Sequence, residues 1–304
     1  MGTPEFAVPS LRAVCKSGCR VLAVVTQPDR PSGRGKSLKP SPVKVAAQEL
    51  DCPLLQPESI RTEAFREAIQ ALEPDFLVVV AFGQILPPAL LRVPRFGAVN
   101  VHPSLLPKYR GPAPIQWAIL NGERETGVTV IRMDAGMDTG DRVLCSPVAI
   151  RPGETTVTLH DRLAREGARV LVSALEGLRS GALKGVPQDH SQATYAPLLK
   201  KQDGRIDWTR TARELDCFVR GMNPWPGAFT FLGGRRLVIH RARRCPAPPG
   251  RLPGSVLPGP AHALVVAAGE QALELLEVQP ASGKRLEAAA FLRGNPVSPG
   301  VVLG

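Results

Sequence analysis

Short apolar runs and stretches of helical periodicity take turns along residues 1–180 of this 304-residue chain, and few folds accept that order. Val21 to Thr26, Phe76 to Ala81, Gly97 to Val101 and Gly127 to Met133 read as strands, too short and too apolar to be solvated on either face. Pro4 to Lys16, Ser41 to Leu50, Ser59 to Leu72 and Pro114 to Asn121 read as the helices between them, with Ser41 and Ser59 as N-caps. Thr155 to Leu178 repeats an apolar face through Leu159, Leu163, Val170 and Leu171 and closes the segment. Strands that must be connected through helices pair in parallel, so the expectation is an α/β fold whose N-terminal part is a Rossmann-like, mostly parallel sheet.

The texture then changes. Residues 181–203 lack periodicity and carry Gly181, Gly185 and Pro187, as a linker would, leaving 1–180 and 204–304 as two domains. Beyond the linker a helix at Thr211 to Gly221 precedes short strand-like runs at 228–232, 235–242, 263–267 and 272–280, set among Gly and Pro turns. Such a pattern suits a small OB-like β-barrel. Charge separates the two parts further: 25 basic and 20 acidic side chains lie in 1–203, against 13 and 7 in 204–304. The C-terminal part is therefore about twice as basic per residue, which favours a polyanionic partner, nucleic acid above all. No apolar run is long enough to span a bilayer, and no basic-then-apolar leader opens the chain, so a cytoplasmic protein is expected. The cysteines at 15, 19, 52, 145, 217 and 245 form no C-x-x-C pair or zinc spacing, and reduced structural thiols are expected.

Gly35-Lys36-Ser37 fails as a P-loop because Arg30 stands where the first glycine belongs, and Leu38 defeats the dinucleotide fingerprint. What remains from Gln27 to Pro40 is a cationic loop bearing Arg30, Arg34, Lys36 and Lys39, suited to gripping phosphates or simply to facing solvent. Asn100-Val101-His102 ends a strand, where open sheets present reactive groups, and the two-residue period sends Asn100 and His102 to one side. An amide donor beside an imidazole can hold an oxyanion and manage a proton. Asp138, in the loop Met133 to Asp141, could pair with His102 and bias it toward its protonated form; Asp134 and Asp141 are rivals for that role. A Ser-His-Asp hydrolase built on Ser104 is disfavoured, since no G-x-S-x-G elbow surrounds it. Trp225, in Asn223-Pro224-Trp225-Pro226-Gly227, reads as a packing residue.

Taken together, Gly2-Thr3-Pro4-Glu5-Phe6-Ala7, Gln27-Pro28-Asp29-Arg30-Pro31, Ser41-Pro42-Val43-Lys44, Asn100-Val101-His102-Pro103-Ser104-Leu105-Leu106-Pro107, Arg110-Gly111, Met137-Asp138-Thr139-Gly140-Asp141 and Asn223-Pro224-Trp225-Pro226 resemble the methionyl-tRNA formyltransferase family along almost the whole chain. The resemblance implies transfer of a formyl group from 10-formyltetrahydrofolate to the α-amino group of initiator methionyl-tRNA, with Asn100, His102 and Asp138 as the catalytic set. It implies a tetrahydrofolate pocket lined by Ser104, Leu105, Leu106 and Pro107 and bordered at the pterin by Phe82, Gly83, Gln84, Ile85 and Leu86. It also implies a tRNA-gripping loop in which Arg34 leads, with Arg30, Lys36 and Lys39 in support. No metal and no covalent intermediate are called for, because a neutral amine held close is already a nucleophile. A monomer is expected. One departure stands out: the family places an apolar strand just before its Gly-Thr-Pro turn, whereas this chain opens with Met1 there, so an interior strand of the sheet is expected to be missing. Alternative functions are formyl transfer to an amino-sugar nucleotide, hydrolysis of formyltetrahydrofolate, and non-catalytic RNA binding.

Overall fold

Val24 and Val25 are almost wholly buried and pair in parallel with Leu54 and Leu55, and buried valines recur at 79, 99 and 101, where the central strands form. A computed structural model describes residues 1–32, 37–248, 250–260 and 262–304. It divides into two units, one of residues 1–114, 125–149 and 160–196, the other of 115–124, 150–159 and 197–304.

The strands of the first unit are β1 (Val24–Val25), β2 (Arg30–Ser32), β3 (Ser37–Lys39), β4 (Leu54–Leu55), β5 (Leu77–Val79), β6 (Ala98–His102), β7 (Glu125–Arg132) and β8 (Arg142–Ala149). Its mostly parallel part runs β4-β1, then β5-β6 in parallel register with Leu77 opposite Ala98. Between β1 and β5 lies the start of the chain: the Gly2 amide donates to the Val25 carbonyl, the Val80 amide to the Met1 carbonyl, and the Met1 amine to the Val78 carbonyl. These two residues thus occupy an interior strand position and satisfy backbone groups that would otherwise be orphaned. β7 and β8 extend the sheet antiparallel, His102 opposite Thr129, and only two of the six residues expected in the first strand actually pair.

Helices α1 (Val8–Lys16), α2 (Pro42–Glu49), α3 (Glu63–Gln70), α5 (Pro114–Leu120) and α6 (Thr156–Ser180) fall on the stretches that periodicity marks, α1 and α3 starting later than expected, while the single turn α4 (Pro88–Leu91) was not foreseen. Ser41 caps α2 as expected, its hydroxyl accepting from the Lys44 amide. α3 is capped by Thr62 rather than Ser59, because Ile60 is driven into the core and turns residues 59–62 out of helical register. Residues 185–196 lie along the sheet rather than away from it, with Val186 bridged to Arg142 and Tyr195 to Arg110.

The second unit carries α7 (Ala212–Met222), capped reciprocally by Thr211 and Glu214, and a six-stranded antiparallel sheet. Its strands are β9 (Ala228–Leu232), β10 (Arg235–Cys245), β11 (Val256–Leu257), β12 (Leu264–Ala267), β13 (Ala272–Pro280) and β14 (Leu286–Glu287), in the order β11-β12-β13-β10-β9 with β14 on β13; α8 (Ala288–Gly294) follows. Gly233 and Gly234 both hold positive φ, the two-residue turn that joins β9 to β10 without splaying them. Leu215, Phe218 and Val219 of α7 pack with Leu237, Ile239, Val266, Leu273 and Val278 in one core. The last residues bond to both edges of this sheet, Leu303 N–H to the Gly254 carbonyl and Gly304 N–H to that of Phe231, which curls it. No described helix is long and apolar enough to cross a membrane.

Candidate active site

The central strand β6 ends in Asn100-Val101-His102, and the pleat sends Val101 to one face and its two neighbours to the other. His102 is 4% exposed and its Nε2 lies 2.9 Å from the Tyr109 carbonyl, an acceptor only, so Nε2 carries the proton. Its Nδ1 therefore faces the site, 3.6 Å from Oδ1 of Asp138. That carboxylate is held twice more: Oδ2 accepts the Gly111 amide at 2.9 Å and Oδ1 the Asn100 amide at 3.3 Å. Asn100, His102 and Asp138 are thus brought together from strand end and loop, with one hydrogen of the Asn100 amide left for a ligand.

The rivals point elsewhere. Asp134 accepts from the Gly136 amide and the Thr139 hydroxyl, closing its own turn, while Asp141 lies against Gly185. Gly140 fixes the loop's return, since a Cβ there would fall on the Arg132 carbonyl. Asp138 itself sits at φ +55°, a left-handed conformation that costs an L-residue about 1 kcal/mol and recurs where a site holds it.

Among the residues assigned to folate, Ser104 is fully buried and spends its hydroxyl on the Lys108 carbonyl. Thr129 ties the same turn, donating to the Ser104 carbonyl and accepting from the Leu106 amide. Leu106 is buried, and Leu105 and Pro107 are partly open. Phe82 and Leu86 belong to the core with Val79 and Ile60, leaving Gly83, Gln84 and the 69%-exposed Ile85 free to meet a ring. Arg30 and Lys39 are exposed and face each other across β2 and β3; Arg34 and Lys36 lie outside the described residues. The base of that loop is anchored: Asp29 accepts from Lys44 Nζ at 2.7 Å and from Gln56 at 2.8 Å, and these bonds, Lys44's first, hold its carboxyl below the ordinary range. Trp225 corrects the packing expectation, being half exposed, because the turn around it directs the indole outward.

Three parts of this site had no signal in the sequence: the Tyr109 carbonyl, the Gly111 amide and the buried side chain of Gln188, which meets the Asp138 loop. The first two are backbone groups, invisible to residue type. Gln188 falls in the stretch without periodicity.

Comparison with known proteins decides the family. The formyl transferase family matches residues 1–175, and the formyl transferase C-terminal domain family matches residues 198–296. A methionyl-tRNA formyltransferase of Pelobacter propionicus is 52% identical over the whole of this chain and 95% of its own length; that of Desulfotalea psychrophila is 49% identical over the whole chain and 94% of its own. The chain belongs to the methionyl-tRNA formyltransferase family. Solved structures share the fold at lower identity. An N-formyltransferase from Helicobacter canadensis, in complex with folinic acid and dTDP-3-aminofucose, superposes at TM-score 0.65 with 16% identity over 94% of this chain and 97% of its own. HypX from Aquifex aeolicus in complex with tetrahydrofolic acid gives 0.62 with 19% identity, over 95% of this chain and 46% of HypX.

Proposed function

We propose that Asn100, His102 and Asp138 carry out formyl transfer in the following way. The enzyme moves the formyl group of 10-formyltetrahydrofolate to the α-amino group of initiator methionyl-tRNA, the reaction of its family, and serves translation initiation. The neutral amine attacks the formyl carbon, and the carbonyl oxygen gathers negative charge. The free N–H of Asn100 and the Nδ1 of His102, in its imidazolium form, donate to that oxygen. Asp138 supplies the counter-charge and receives the amine's proton, directly or through water; the proton then passes to the departing folate nitrogen as the tetrahedral adduct collapses. Ser104 to Pro107 and Phe82 to Leu86 border the folate, the exposed Gly83 and Ile85 and the half-buried Gln84 making the contact.

The observation that carries this reading is the fixed orientation of the His102 ring: Tyr109 claims Nε2, so Nδ1, beside Asp138, faces the site. The loop bearing Arg30, Arg34, Lys36 and Lys39 grips the acceptor end of the tRNA, and the basic residues of 204–304 grip its backbone. We assign catalysis to residues 1–180, a linker to 181–203, and an OB-like barrel for tRNA to 204–304, in a monomer of the cytoplasm. The test is transfer by His102→Ala and Asn100→Ala. Folded variants with near-normal turnover would overturn the assignment of roles, while turnover reduced by 10²-fold or more supports it.

A further inference from the structure

We propose that Gln188 is a positioning residue for Asp138, held in its working orientation by the buried guanidinium of Arg110. Gln188 is 5% exposed and every one of its polar positions is engaged. Its Nε2 donates to the main-chain carbonyls of Asp138, at 2.8 Å, and Gly140, at 2.7 Å. Its Oε1 accepts from Arg110 Nη2 at 2.7 Å and Nε at 3.2 Å. A flipped amide would set an oxygen against two carbonyls and an NH2 against a guanidinium, so Arg110 fixes which end of Gln188 meets the loop.

These bonds close a ring. The Asp138 carboxylate accepts the amide of Gly111, Gly111 follows Arg110 in the chain, Arg110 grips Gln188, and Gln188 grips the Asp138 carbonyl. Asp138 is thereby held at its side chain and at its main chain, and this is the residue whose backbone sits in the left-handed region. The ring supplies the over-determination that such a conformation needs to persist.

The residue type at 188 argues for position over stability. Arg110 is 2% exposed, and among the described residues it makes no ion pair; beyond Gln188, its guanidinium meets His190 Nδ1 at 3.2 Å. Were Gln188 only a partner for a buried cation, a glutamate of the same length would serve it with a full charge. A glutamate accepts from Arg110 but cannot donate to the carbonyls of Asp138 and Gly140. Glutamine is the side chain that does both.

Gln188→Glu separates the two roles. It keeps a partner for Arg110 but turns an oxygen toward the Asp138 and Gly140 carbonyls, so the melting temperature falls while the chain stays folded at assay temperature, and kcat falls on the order of 10²-fold with the KM for tRNA and folate little changed. The second readout needs no activity: loss of the clamp frees the carboxylate from the Gly111 amide, whose hydrogen exchange quickens about tenfold while the β6 amides keep their protection. If the glutamate variant does not fold, Gln188→Met, of similar length and without charge, carries both readouts. Folded variants with kcat within threefold of wild type and unchanged Gly111 exchange would overturn the proposal. The kinetic arm rests on the formyl-transfer reading: a wild type that transfers nothing ends that reading, and the exchange arm then decides this one by itself.

Discussion

At the scale of single residues, the proposed chemistry rests on an aspartate in an uncommon backbone conformation beside a histidine with one nitrogen already bonded. Asp138→Asn separates charge from shape. Asparagine tolerates positive φ as well as any residue but glycine, and its amide oxygen still accepts from Gly111. The counter-charge and the proton acceptor are lost, so kcat should fall by about 10² to 10⁴ with the melting temperature within a few degrees of wild type; steady-state kinetics and thermal melting check both halves. Gly140→Ala is expected to do the reverse, lowering the melting temperature and activity together, because the added methyl meets the Arg132 carbonyl and the loop must move. Asn100 and His102 were legible as a pair because the two-residue period of a strand is a geometric rule. By residue type alone Asp138 was one of three carboxylates in a glycine-bearing loop, and the family resemblance picked it out; in the structure it is the one held by the Gly111 amide and the Gln188 side chain, contacts from segments distant in sequence that spacing does not reveal.

Among the elements, the base of the β2–β3 loop is held by a carboxylate whose ionisation matters. Asp29 has its carboxyl lowered by hydrogen bonds from Lys44 and Gln56, so the anchor is complete above the ordinary carboxylate range and weakens as pH falls through the lowered value. Lys44→Ala should therefore raise the KM for tRNA several-fold at pH 7 and leave kcat within about twofold, a split measurable by varying tRNA at saturating folate. The elements α6 and β13, and even the five-residue β9, were read closely from periodicity, whereas β8 and α8 were not. The antiparallel strand β8 has half-exposed residues, and α8 is only two turns long, so neither offers a window in which apolar spacing accumulates into a signal.

For the whole molecule, the surplus of positive charge assigns the larger partner. Phosphate contacts release counterions, so the affinity for tRNA should fall steeply with salt, and Arg30→Ala or Lys39→Ala should each flatten the slope of log affinity against log salt by about 1, while the KM for folate hardly responds. The change in texture near residue 200 reads as one boundary between two parts, whereas the two units interleave in sequence, residues 115–124 and 150–159 belonging with 197–304. What was not visible is that residues 185–196 bond along the first sheet and bring Gln188 to the active-site loop, since a segment without periodicity betrays no partner. The most direct measurement is formyl transfer by the purified chain from 10-formyltetrahydrofolate, with initiator methionyl-tRNA and a dTDP-amino sugar offered side by side. Formylmethionyl-tRNA should accumulate, sensitive to salt and lost in Asp138→Asn, with the sugar untouched. A folded chain that formylates the sugar and not the tRNA would contradict the account at its centre.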